Sequence, residues 1–393
     1  MSPSSLLTAL ALTLPTTADE GPNALFDGST LDGWVSRGGP AKYVAVDGAI
    51  VGFAVPNSSN SFLCTERTYG DFILDVELKV DPGMNSGIQI RSAARKTGGR
   101  ERVFGYQVEI DPTSRAWSGG IFDEGRRGWL QNLVGNDDAR AAFDADAWNR
   151  YRIEAIGDRI RTWVNDVPAA DLVDPLTQEG FIGLQVHGVG ELKSPLTVRW
   201  RDLKIQDLGH SRWEPLFDGT SLHGWTMSGG GHFTIKDGQL VGEQTKDDPR
   251  HGVLMLDRSL SDFTVRVEFK AAKGNSGLYF RSEPVDGPVV VHGFQAEIDA
   301  ENDAGGLYET GGRAWVAKPS TRAQEAFRPG KWNVLTIHAH GSRIVTHLNG
   351  VKAAELKDDP GRREGRLGLQ LHGGQDQKVK FRAIELLTAV RGS

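Results

Sequence analysis

A single cysteine, Cys64, serves all 393 residues, so the chain can close no disulfide of its own and can build no thiolate metal cluster. Long apolar runs are missing too: none approaches the roughly 20 residues that a membrane-spanning helix needs. Basic residues gather into no stripe. The 45 Lys and Arg are mixed with 51 Asp and Glu, for a formal charge of −6, which offers nothing to a phosphate backbone and argues against nucleic acid as a partner. No glycine-rich dinucleotide fingerprint precedes a helix, and there is no EF-hand loop or His-x-x-x-His zinc spacing. No cofactor is expected. Lys and Arg are absent before Arg37. The apolar run Leu6–Leu12, followed by Pro15-Thr16-Thr17-Ala18 and then Asp19-Glu20, is similar to the core and cleavage region of a secretory signal without its positive leading segment. Residues 1–20 are expected to be a signal peptide or a disordered tail, and the protein to be secreted or periplasmic.

What is present favours strands. The chain has 49 glycines, short runs of aromatic and β-branched residues, and few stretches of 3.6-residue period, which predicts an all-β fold. The strongest organising fact is internal repetition. Leu25-Phe26-Asp27-Gly28…Gly33-Trp34 returns as Leu216-Phe217-Asp218-Gly219…Gly224-Trp225. Asn85-Ser86-Gly87 returns as Asn275-Ser276-Gly277, Gln107-Val108-Glu109-Ile110-Asp111 as Gln295-Ala296-Glu297-Ile298-Asp299, and Trp148-Asn149 as Trp332-Asn333. Leu184-Gln185-Val186-His187-Gly188 returns as Leu369-Gln370-Leu371-His372-Gly373. Two domains follow, 21–207 and 212–388, with a short polar linker near Asp207–Arg212. Trp34, Trp148, Trp225 and Trp332 are expected to anchor the cores.

The period of two in a strand separates two faces. Phe72, Leu74, Val76, Leu78 and Val80 form an apolar face, repeated over Phe263–Phe269, and the Asn165-Asp166 and Asn349-Gly350 pairs suit tight hairpin turns. Three other strands per copy carry unusual polar residues opposite an apolar face. These are Gln89 and Arg91; Gln107, Glu109 and Asp111; Gln185 and His187. Their counterparts are Tyr279 and Arg281; Gln295, Glu297 and Asp299; Gln370 and His372. A solvated sheet face needs no function, but the two copies keep these residue types while diverging elsewhere. The same comparison marks Asn85 with Asn275, Asp123 with Glu309, Arg127 with Arg313 and Trp129 with Trp315. If the three strands lie in one sheet, each copy aims these groups at one surface. The histidines at 338, 340 and 347 have Glu154, Ile156 and Trp163 as first-copy counterparts, which disfavours a metal there.

These phrases, with Gly120-Ile121-Phe122-Asp123-Glu124-Gly125-Arg126-Arg127-Gly128-Trp129-Leu130, resemble the 3-keto-disaccharide hydrolase domain family over nearly all of both repeats. The resemblance implies two tandem concanavalin A-like jelly-roll β-sandwiches acting on glycosides whose sugar C3 is a ketone. Such a ketone acidifies C2–H, so a base can form an enolate that expels the group at C1, with later hydration giving net hydrolysis. The chemistry needs a base, a donor or cation at the enolate oxygen, and an acid for the departing oxygen. His187 or Glu109 is the expected base, Arg91 or Arg127 the enolate partner, and Asp111 an orienting group. The second copy offers His372, Glu297, Arg281, Arg313 and Asp299 for the same roles. Asn85, Gln89, Gln107, Asp123, Trp129 and Gln185 would bind substrate, as would Asn275, Tyr279, Gln295, Glu309, Trp315 and Gln370. The substitutions Glu124/Thr310 and Arg126/Gly312 set the second copy apart. The oxidised substrate has to come from a separate oxidoreductase, and the sequence leaves a divalent cation at the enolate open. Conventional hydrolysis by two carboxylates is the mechanistic rival, but Glu109 and Asp111 stand side by side on one strand, about 6.7 Å apart at Cα. A carbohydrate-binding protein without catalysis is the alternative of a different class.

Overall fold

Alternation of apolar residues builds the sandwich. The structure, a computed structural model, describes residues 22–191, 196–271 and 273–390; the signal-like segment lies outside them. It is all-β, two jelly-roll sandwiches in tandem, with two short helices, Asp137–Ala141 and Thr321–Ala326. In the Asp71–Val80 strand, Phe72, Leu74, Val76, Leu78 and Val80 are each at most 1% exposed. They pack against Ile88, Ile90, Tyr106, Val108 and Ile110 of the facing sheet in one continuous core. The second domain repeats this with Phe263, Val265, Val267 and Phe269 against Leu278, Phe280, Phe294 and Ile298. Each opening Phe-Asp-Gly phrase is a turn. Asp27 accepts from the Ser29 and Thr30 amides, both at 2.7 Å, and Asp218 does the same for Thr220 and Ser221. The expected hairpin corners hold, with Asn165, Asp166, Asn349 and Gly350 all at positive φ.

Seven strands form the sheet that carries the polar residues. In the first domain their spatial order is Gly128–Gln131, Ile121–Glu124, Arg100–Ile110, Ser86–Thr97, Phe181–Val186, Ser61–Thr65 and Trp34–Gly38. The three strands singled out by their polar faces are therefore neighbours, in both domains.

Two expectations fail. Residues 207–212 are not a linker but part of one 19-residue strand, Thr197–Pro215, that pairs with Asp71–Val80 and then with Gln377–Val390 of the second domain. A polar stretch still has amides and carbonyls to satisfy, and here the second domain's last strand satisfies them. A 15-stranded sheet thus runs through both domains. Nor do all four tryptophans enter the cores. Trp34 and Trp225 are buried, but Trp148 and Trp332 are only half-buried beneath the guanidinium groups of Arg201 and Arg382, each 4.1 Å from the ring centroid. Their bulk is shielded by arginine stems on the outside of the shared sheet.

Polar contacts close the seam between the domains. Asp158 of the first domain, 2% exposed, meets His338 Nδ1 at 2.9 Å and accepts from Thr264 Oγ1 at 3.1 Å. Arg343 pairs with Asp171 at 2.8 Å, and Arg127 donates to the Gly350 carbonyl at 3.1 Å. The His338-Ala339-His340 cluster belongs to this seam. Removing one member of a buried charged set leaves its partners desolvated and unpaired, at a cost of about 3 kcal/mol. Asp158→Ala should accordingly lower the unfolding midpoint and speed hydrogen exchange at the His210–Pro215 amides. Unchanged protection there would mean that sheet pairing alone holds the seam.

Candidate functional site

The Asn-Ser-Gly phrase explains itself on the outer face of the seven-stranded sheet. Asn85 Nδ2 donates to Glu109 Oε1 at 2.9 Å, and Ser86 Oγ donates to the Gln185 carbonyl of the next strand at 2.6 Å. Gly87 leaves space for Gln107, whose side chain would lie 2.4 Å from a Cβ at that position. Gln107 Nε2 in turn donates to Glu109 Oε2 at 3.0 Å, while its oxygen accepts from Gln89 at 2.7 Å and Gln185 at 2.9 Å. Gln89, Gln107, Glu109 and Gln185 are each at most 5% exposed. They form a buried lattice of amides whose remaining donors are aimed at one carboxylate, as burial of a charge requires.

Over this lattice opens a cavity of about 210 Å³ lined by Asn85, Gln107, Glu109, Arg115, Phe122, Glu124, Trp129, Gln185 and His187. Arg115 was not among the expected residues. Its Nη2 pairs with Glu109 at 2.8 Å and its Nε with Asp111 at 2.7 Å, and its guanidinium lies about 5 Å from the rings of Trp117 and Trp129. Asp111 does not line the cavity. It organises the loop that carries Arg115, accepting from the Thr113 amide and hydroxyl and from the Trp117 amide. Burial pushes the Glu109 carboxyl up, against the hydrogen bonds of Asn85 and Gln107 and the charge of Arg115. Glu124 is likewise pushed up by burial, opposed by Arg102, His187 and Asn60. His187 Nδ1 lies 2.7 Å from the Gly188 carbonyl. Cys64, buried, has its thiol pushed up to about 12 and offers no nucleophile.

Other expected residues lie elsewhere. Arg91 is at a bulge with φ of 45°, so its side chain leaves the alternation and turns to the other sheet. There it is fully buried, pairing with Asp71 at 2.8 Å and donating to the Gly70 and Gly157 carbonyls. Arg281 repeats the bulge and donates to the Ser261, Gly341 and Arg362 carbonyls. Neither reaches the cavity. Asp123 pairs across strands with Tyr106, on the core side of the sheet, whereas Phe122 pairs with Gln107 on the outer side. Asp123 is fully buried and holds Arg126 and Arg127; Arg127 also pairs with Asp174 at 2.8 Å. In the second domain Arg313 pairs with Glu309 and, at 2.9 Å, with Asp359. These are structural clusters at one edge of the sheet. Among residues 121–124 it is Glu124 that faces the site, as strict alternation from Phe122 requires.

The second domain keeps the lattice and changes its surroundings. Glu297 accepts from Asn275 at 2.9 Å and Gln295 at 2.8 Å, and Gln295 bonds to Gln370 at 3.1 Å. The loop after Asp299 is shorter and carries no arginine; Asp299 accepts from the Glu301 amide. Burial pushes the Glu297 carboxyl up to about 7, with Asp299 and Asp303 adding to the rise and Asn275 and Gln295 opposing it. Tyr279 replaces Gln89, its hydroxyl 3.2 Å from Thr310 and 3.0 Å from Gln370. His251 and His372 rings meet at 4.3 Å, and burial with His372 lowers His251 to about 4. Trp315 is 38% exposed with Lys318 Nζ 3.3 Å above its ring. Among the described residues no three His, Cys, Asp or Glu side chains converge as a metal site would.

The model of the 3-keto-alpha-glucoside-1,2-lyase-like domain matches residues 21–206 and again 212–387. The chain belongs to this family. Two members of the lattice, Glu109 and Glu297, thus occupy equivalent places in two copies of a 3-keto-alpha-glucoside-1,2-lyase-like domain. Among solved structures, the chain is similar to a carbohydrate-binding module from Bacillus subtilis, at 23% identity over 41% of this chain and 93% of that one, with a TM-score of 0.33. It is also similar to a putative glycosyl hydrolase from Parabacteroides distasonis, at 19% identity over 45% and 94%, with a TM-score of 0.34. No curated protein matches the chain.

Arg115→Ala should raise the Glu109 pKa further, since the lost cation favours the ionised form; carboxyl carbon chemical shifts followed through a pH titration measure this. For Glu297 the sign is set by a folded value of about 7 against an ordinary 4.5. The native state holds the proton longer, so this group's contribution is complete below pH 4.5 and is lost as pH rises to 7, on the order of 3 kcal/mol. Glu297→Gln should remove that fall, raising second-domain stability at pH 8 relative to wild type. Parallel pH profiles for the two proteins would contradict it.

Proposed function

We propose that the first domain cleaves the glycosidic bond of 3-keto-glycosides by removing the C2 proton and eliminating the group at C1, with addition of water to the resulting C1=C2 bond completing a net hydrolysis. The observation that carries this reading is the pairing of Glu109 with Arg115 at the wall of an open cavity of about 210 Å³, of a size for one sugar ring. A base whose pKa is raised by burial, held beside a cation, is what forming an enolate needs. Glu109 is the base in this reading. Arg115, in place of the expected Arg91 or Arg127, stabilises charge developing on the C3 oxygen. Trp129 and Phe122 present ring edges and faces to the sugar's C–H groups, while Asn85, Gln107 and Gln185 fix its hydroxyls. Family membership supports the choice of a keto-sugar substrate.

A separate oxidoreductase would supply the ketone, and export would bring the protein to extracellular glycosides. No helix among the described residues is long and apolar enough to cross a membrane. Carbohydrate binding without turnover is the second reading, favoured for the second domain by its exposed Trp315 and by a loop after Asp299 that carries no arginine. Wild-type protein should release the aglycone from a 3-keto-glucoside and leave the unoxidised disaccharide intact. Glu109→Gln should lose about 10²–10⁴-fold in kcat while still binding the sugar, and His187→Ala should lose less. Binding of both sugars with turnover of neither by the wild type would reduce the protein to a binding module.

A further inference from the structure

Elimination needs an acid as well as a base, because an alkoxide or sugar oxygen departs poorly without a proton. Resting on the reading above, we propose that Glu124 is that acid, delivering a proton to the departing glycosidic oxygen in the first-domain cavity.

The sheet register places it. Glu124 stands opposite Gly105, and Phe122 stands opposite Gln107, so Glu109 lies four residues further along the neighbouring strand. At a rise of 3.3–3.4 Å per residue, the two positions are about 13 Å apart along the strand direction, with Phe122 and Gln107 between them and both carboxyls lining the same cavity. Asp111, side by side with Glu109, could not oppose it. Glu124 reaches a bound ring from the other end. The environments differ in the required sense. Glu109 is held by Arg115 at 2.8 Å and by two amides, which favour its charge. Glu124 is half-buried and has no ion pair among the described residues; burial pushes its carboxyl up, opposed by Arg102, the His187 imidazole and Asn60. One carboxyl paired with a cation and a second without an ion pair suit the roles of base and acid.

The step balances. Glu109 takes the C2 proton, the C–H electron pair forms the enolate, and the enolate collapses to a C1=C2 bond. The C1–O bond breaks with its electron pair on the aglycone oxygen, and that oxygen takes the Glu124 proton. The products are a 3-keto-1,2-unsaturated sugar and a free alcohol. Proton exchange with solvent, through His187 at the Glu124 end, resets both groups. In the second domain the equivalent position is Thr310, its hydroxyl beside that of Tyr279, and no carboxyl replaces it.

Leaving-group dependence tests this, because a 4-nitrophenolate departs without a proton whereas a sugar or alkyl alkoxide does not. Glu124→Gln should lower kcat on an alkyl or glucosyl 3-keto-glucoside about 10²–10⁴-fold and change kcat on the 4-nitrophenyl 3-keto-glucoside only a few-fold. Glu124→Asp, which keeps a carboxyl, should recover part of the loss on the alkyl substrate. Equal losses on both substrates, or no loss on either, would overturn the assignment, with thermal unfolding and sugar binding confirming that each variant is folded. Failure of the wild type on every 3-keto-glycoside would instead sink the elimination reading itself. Cleavage of an unoxidised disaccharide would do the same, recasting Glu109 and Glu124 as a conventional carboxylate pair.

Discussion

Everything at the first-domain site depends on keeping one carboxylate buried at the surface of a sheet. Left alone, Glu109 would take up a proton or turn to water. Burial pushes its carboxyl up, and Asn85 and Gln107, each with a hydrogen bond, and Arg115, with a charge, oppose that rise and hold the group in place. Those donors need their own support. Gln107 is oriented by Gln89 and Gln185, and it fits over Gly87 only because that residue has no side chain. Arg115 is fixed by Asp111 and by Trp117 and Trp129. The requirement explains why amides rather than hydroxyls or lysines line the face: an amide can accept from one neighbour while donating to the carboxylate.

The two domains show how the same lattice can be retuned. Both hold a glutamate between an asparagine and a glutamine, with nearly equal distances. In one the arginine loop supplies a counter-charge; in the other the shorter loop supplies none, and Glu297 shifts up to about 7. An arginine that loses its place on the face is not wasted. Arg91 and Arg281 repeat one bulge in both domains and bind carbonyls at the junction of the sheets, so their retention across the repeat reflects the sandwich and not the cavity. The shared sheet adds a further constraint, since the strand through residues 207–212 belongs to both domains and leaves no hinge between them.

Comparison of the two halves of the sequence located the lattice, since Asn85, Gln107, Glu109, Gln185 and their counterparts recur and alternate. That method finds what both copies keep. It is blind to Arg115 and Glu124, which only the first copy has, and it is misled by Arg91 and Asp123, which are kept for packing. Strict alternation within Ile121–Glu124 would have favoured Glu124 over Asp123, because Phe122 and Glu124 share a face; the persistence of a carboxylate at Asp123 and Glu309 masked this.

The order of apolar and polar residues determined by itself that the chain would form two antiparallel sandwiches, which strands would be neighbours in chemistry, and where the tight turns fall, because these follow from a two-residue period and local turn stereochemistry. Tertiary structure alone decided which side chains leave that period at a bulge, which loop folds an arginine back over a strand, and which polar stretch pairs with a distant strand. Those outcomes turn on contacts between residues far apart in the chain, such as Arg91 with Asp71, Arg115 with Trp129 and His210 with Val390, and no local pattern encodes them.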